Sequence, residues 1–245
     1  YTHGLSNRLH GNATGLQLDI ARGMGEGWSD FYAHCLLSEP SDPINGIYTI
    51  GAYDTFTGPG SNNTYYGIRR FPKAVMAFTG GAMNRPHNPL TFQDIDATKI
   101  NLTDGAFAPR FNSTADQVHN IGEVWSIALW EIRARMINRL TWAVGNRRVL
   151  QFVTDGMKLA PVNPTPRTER DAMIAAGVAS GTPADVADRW AGFALRGVGA
   201  SASIQKVGGA STGGLGTVRV TEAFDLPNLF QNPNLTLSDT IGNNN

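Results

Sequence analysis

The chain of 245 residues carries 20 Lys and Arg against 20 Asp and Glu, a balance that points to neither nucleic acid nor an anionic membrane as a partner. Apolar residues make up 41%, enough for a substantial core, and no apolar run approaches the roughly 20 residues that a membrane-spanning helix needs. Cys35 is the only cysteine, which excludes an intrachain disulfide. It lies in the apolar run from Phe31 to Leu37, where a buried, inert thiol is expected.

From Gly25 to Leu37, Trp28, Phe31, Tyr32, Cys35 and Leu36 recur at three- and four-residue steps and predict an amphipathic helix. Residues 38–116 have another texture. Prolines and the stretches "TGPGSNN" and "TGGAMNRPHNP" predict a long, turn-rich segment of the kind that often builds a binding surface. The clearest helix runs from Asp116 to about Arg139, with Val118, Ile121, Trp125, Leu129, Ile132 and Met136 on one face. On that pattern Glu123 and Glu131 fall on a solvated side. Helices are also predicted from Arg147 to Leu159, across "TERDAMIAAGVA" with Thr168 as cap, and across "PADVADRWAGFALRGVG" with Gly197 ending it. A flexible glycine-rich stretch follows at 207–216, then "VRVTEAFDLP" alternates as a short strand. No internal repeat is visible, so residues 1–245 are expected to form a single, mostly α domain with little β.

The segment "GMGEGWSD" places Glu26 and Asp30 one helical turn apart on one face, where like charges repel unless a cation lies nearby. A metal with a histidine ligand would supply that charge, with Asp30 accepting the proton on the far nitrogen of the ligating ring. The alternative is that both carboxylates are solvated or face the positive end of the helix dipole.

"YTHGLSNRL" followed by "GMGEGWSDF" resembles the fungalysin family of secreted zinc metalloendopeptidases, which are relatives of thermolysin. "YYGIRRFP", "NPLTFQDID", "VHNIGEVWSIALWEI", "FALRGVGA" and "VTEAFDLP" are similar to further family segments in the same order, spread over nearly the whole chain. The resemblance implies the helical lobe of a thermolysin-like metallopeptidase, Zn2+ as cofactor, and protein or peptide substrates. It implies His3 and Glu26 as zinc ligands, with Asp30 behind them orienting a ligand histidine. It also implies His119 as the imidazole that stabilises the oxyanion. Arg69 and Arg70 are candidates for contacting the oxyanion or substrate carbonyls, against the alternative of an exposed pair. Tyr65 or Tyr66 is a candidate second donor to the oxyanion. His10, His34 and His87 fit no ligand spacing with Glu26 and are expected at the surface or in packing.

The family motif HExxH is represented only by its last three residues, Tyr1, Thr2 and His3. Its first histidine and its glutamate, which the resemblance assigns as ligand and general base, have no counterpart in the chain. This chain alone is therefore expected to be proteolytically inactive, the C-terminal portion of a peptidase whose β-rich N-terminal half would be a partner chain. The alternative is a processed fragment acting as a non-enzymatic binding protein: lectin-like, inhibitory or cytotoxic. Sequons at Asn12, Asn62, Asn101, Asn112 and Asn234 favour a secreted glycoprotein.

Overall fold

The helix bearing the "VHNIGEVW" segment organises the chain. The computed structural model describes residues 1–57, 64–99, 114–207 and 216–228. Its helices are α1 (Thr2–Leu9), α2 (Asp19–Leu37), α3 (Ala52–Thr57), α4 (Val118–Leu140), α5 (Trp142–Leu159), α6 (Pro166–Ser180) and α7 (Pro183–Leu195). Among the described residues the only sheet is an antiparallel pair, β1 (Ser203–Lys206) and β2 (Val218–Thr221), in register from Ser203 opposite Thr221 to Lys206 opposite Val218. The fold is mostly α.

α4 packs against α2, α5 and α7 and is buried on all sides rather than along one stripe, as a central helix must be. Trp125 meets Trp28 of α2 edge-on at 6.2 Å and stacks on Phe193 of α7 at 5.6 Å. The central position corrects the expectation that Glu123 and Glu131 are solvated: both are buried and paired, Glu123 with Arg70 and Glu131 with Arg196. Charges removed from water persist only with such partners.

α2 approaches α4 closely because glycines line the seam. A Cβ on Gly23 would stand 2.6 Å from the Ile121 Cβ, one on Gly27 2.5 Å from the Gly122 carbonyl oxygen, and one on Gly122 2.7 Å from the Glu26 Cβ. The helix containing Glu26 begins at Asp19, six residues before the apolar periodicity becomes visible. α5 likewise begins at Trp142, ahead of the expected Arg147; Thr141, at φ 127°, joins it to α4 without a loop.

Thr165, not Thr168, caps α6: its side chain accepts from the Thr168 amide, while the Thr168 hydroxyl accepts from the Thr165 amide. Thr182 and Asp185 make the same reciprocal box on α7, and Gly197, at φ +78°, follows that helix. β2 falls within the expected strand, and its partner β1 is an addition to the sequence reading.

The described part of 38–116 is largely irregular, with α3, two short 3-10 turns at Ala82–Asn84 and Phe92–Ile95, and isolated bridges from Tyr48 to Lys73 and from Thr79 to Pro86. It nevertheless reaches the core through Phe71, Val75, Leu90, Phe92 and Ile95. A buried irregular backbone must find hydrogen-bond partners. Arg196, fully buried, donates to the carbonyls of Ala74, Asn88 and Leu90 as well as to Glu131. Residues 208–215, which make up most of the expected glycine-rich stretch, and the sequons at Asn62, Asn101, Asn112 and Asn234 lie outside the described residues. Asn12 is exposed, in the turn after α1.

Candidate functional site

Glu26 is where α1, α2, α4 and the 64–73 segment converge. The glycine-lined seam brings it against the first turn of α4. The Nε2 of His3 on α1 lies 3.6 Å from Glu26 Oε1. His119 Nε2 lies 3.5 Å from Oε2, and Arg69 Nη2 lies 3.7 Å from the same oxygen. His3 and His119 are about half exposed and Glu26 a quarter exposed, so the cluster opens to solvent.

Asp30, one turn beyond Glu26, is buried. Arg69 donates to it in bidentate fashion, Nε to Oδ2 at 2.8 Å and Nη2 to Oδ1 at 2.9 Å. Arg69 thus provides the cation that the Glu26–Asp30 spacing calls for. Burial pulls its guanidinium pKa down, but the bonds and charge of Asp30, with Glu123 and Glu26 beyond, outweigh that and raise it. Asp30 faces Arg69 and not His3, so its described partner differs from the ligand histidine implied by the resemblance.

Arg69 and Arg70 are both nearly buried, which removes the exposed-pair alternative. Their roles differ. Arg70 donates from Nε to Glu123 Oε2 at 2.6 Å, from Nη1 to the Asp94 carbonyl and from Nη2 to the Asn120 carbonyl, both at 3.1 Å. Its guanidinium is thus held by three protein acceptors. Glu123 also accepts from the backbone amides of Arg70 and Phe71, pinning the segment that aims Arg69. Lys73 lies behind it, buried, donating to Ser126 Oγ, with its pKa pushed down to about 8 chiefly by burial.

His119 sits in the first turn of α4. The N-cap residue Gln117 accepts from the His119 amide through Oε1 at 2.7 Å, and its Nε2 lies 2.8 Å from His119 Nδ1. A pocket of about 270 Å³ opens beside His119, lined by Ile68, Arg69, Arg70, Gln117, His119, Asn120 and Glu123. The Tyr65 hydroxyl is bonded to His87 Nδ1 at 2.7 Å, and the Tyr66 ring packs on Phe71. Neither tyrosine lines this pocket. His10 stacks on Trp28 and bonds Ser6 and Glu169, and His34 lies between Tyr48 and Trp130. All three remaining histidines are therefore in packing positions.

The pair His3 and Glu26 fits zinc in donor type and spacing. Tetrahedral zinc with bonds of about 2 Å holds neighbouring donors about 3.3 Å apart. Among the described residues, no group of three His, Cys, Asp or Glu side chains that could hold a metal is present. Periodicity missed Gln117, Glu123 and the seam glycines. The repeated glycines of "GMGEG" were the available signal for the last of these.

The sequence profile of the fungalysin metallopeptidase family matches residues 1–202. An extracellular metalloproteinase of Pyrenophora tritici-repentis is 32% identical over 93% of the chain and 31% of its own length. One of Aspergillus niger is 32% identical over 83% of the chain and 30% of the relative, and extracellular metalloproteinase 2 of Trichophyton rubrum is 31% identical over 82% and 29%. The chain spans about a third of the length of the curated relatives it matches.

Proposed function

This chain belongs to the fungalysin metallopeptidase family, and from that premise we propose that it is the helical part of a secreted zinc metalloendopeptidase. The observation that carries the reading is the convergence of His3, His119 and Arg69 on the Glu26 carboxylate. His3 and Glu26 would hold the zinc ion. When bound, the metal supplies Lewis-acid polarisation and a water of lowered pKa.

The chain's own residues then have distinct tasks. His119 Nε2 donates a hydrogen bond to the substrate oxygen as it gains negative charge. Asp30 holds Arg69, and Arg69 holds Glu26 in orientation while lining the pocket that receives the substrate backbone. The names of the relatives support an extracellular location, and the exposed Asn12 is the described sequon open to glycosylation.

Two zinc donors are one short of a catalytic site, and among the described residues no carboxylate has an evident claim to act as general base. The chain by itself is therefore proposed to bind zinc weakly and to leave peptide bonds intact. The test is zinc competition against a chromogenic chelator, with casein hydrolysis followed on the same samples. Glu26→Gln and His3→Ala should each weaken zinc at least tenfold, with no hydrolysis in any sample. Unchanged affinity in Glu26→Gln would remove the metal reading, and casein cleavage by the purified chain would overturn its inactivity alone.

A further inference from the structure

The surroundings of His119 determine which of its ring nitrogens carries the proton. Gln117 bonds it twice, and the two contacts are not interchangeable. A backbone N–H can only donate, so the Gln117 atom 2.7 Å from the His119 amide must be the carboxamide oxygen. The carboxamide nitrogen then faces Nδ1 at 2.8 Å, and because an NH2 group only donates, Nδ1 must be the acceptor. At the other edge of the ring, Nε2 faces the Glu26 carboxylate, which only accepts. Both neighbours thus favour a proton on Nε2. The Nδ1–H tautomer would set one N–H against another at Gln117 and leave Nε2 without a proton to offer Glu26.

The backbone that carries Gln117 is itself held in place. Its backbone N–H donates to the Thr114 carbonyl and its carbonyl accepts from the Ile121 amide. The preceding residue, Asp116, is buried and accepts from the backbone amides of Gly216, Thr217 and Val218.

We propose that Gln117 is a positioning residue that fixes the His119 ring as the Nε2–H tautomer, with its donor edge toward Glu26 and the adjoining pocket. Its mechanistic meaning rests on the reading of His119 as donor to the substrate oxygen: the donor is then already aimed in the resting protein. The tautomer itself follows from the hydrogen-bond geometry alone.

The test is a long-range 1H–15N spectrum of the full chain labelled at histidine nitrogen, recorded at about pH 8.5, above the usual histidine range. The His119 signals are assigned by their loss in His119→Gln. In the unmodified chain, Nε2 should give the protonated signal and Nδ1 the unprotonated one. Gln117→Glu keeps an oxygen for the helix cap but replaces the donor to Nδ1 with an acceptor, so it should move the proton to Nδ1. Gln117→Leu removes both contacts and should leave a mixture of tautomers. Nδ1–H or a mixture in the unmodified chain, or a His119 spectrum unaltered by Gln117→Glu, would overturn the proposal. The spectrum requires no peptidase activity, so loss of the metallopeptidase reading leaves this result standing, and the reverse holds.

Discussion

Arg196 has no exposed surface, and its guanidinium joins Glu131 to three carbonyls of the irregular segment. Glu131 also accepts from the Met76 amide at 2.7 Å. Truncating it strands a buried charge, and Glu131→Ala should cost about 3–5 kcal/mol in urea unfolding. A loss under about 1 kcal/mol would mean that the pair is dispensable. His34 is the residue that makes stability depend on acid. Burial, reinforced by the charge of Lys73, pushes its pKa down from 6.5 to about 3. It is neutral in the fold but charged in the unfolded chain below pH 6.5, so the unfolded chain binds the extra proton between those values. Stability is then full above pH 6.5 and falls as the pH drops toward 3. Relative to His34→Phe, the unmodified chain should lose about 2 kcal/mol more between pH 7 and 5, measured by denaturant titration. Parallel curves would refute the assignment. Neither role was visible in helical periodicity, which shows on which side of its own helix a residue lies but not what covers that side.

The close seam between α2 and α4 is the element-scale feature that forms the site. Gly122 faces the Glu26 Cβ, the Gly27 nitrogen and the Gly23 oxygen, two of which are backbone atoms that cannot rotate away. Gly122→Ala gains about 1 kcal/mol in helix propensity. Overpacking costs about 1–3 kcal/mol. The variant should be less stable on thermal unfolding, and it should bind zinc more weakly because α2 carries Glu26 outward as it yields. Retention of both properties would show that the seam has slack. At this scale the sequence was most informative where the signal is local. Apolar repeats marked α2, α4 and α5, and Gly197 marked the end of α7, whereas the cap of α6 is Thr165 and not the expected Thr168. It failed at the start of α2, where Gly23 and Gly27 break the apolar pattern because they serve contact with α4.

For the molecule as a whole, zinc held by His3 and Glu26 would cross-link α1 to α2. A ligand that binds only the folded state at 100 times its Kd adds about 2.7 kcal/mol of stability. Zinc at that ratio should raise the midpoint of thermal unfolding of the unmodified chain and leave that of Glu26→Gln unmoved. Equal shifts in both would place the bound metal elsewhere.

The sequence by itself determined the mostly α character, the positions of most helices and the family, since these depend on local periodicity, capping and ordered motif segments. It also marked His3, Glu26, Asp30, Arg69 and His119 through the family resemblance. Only the tertiary structure decided what those side chains touch. Arg69 meets Asp30 across 39 positions of chain, Glu123 takes Arg70 across 53, and Glu131 takes Arg196 across 65. Such pairings are set by how closely two helices pack and by which backbone groups of an irregular segment need partners. Neither quantity is a property of any one stretch of sequence.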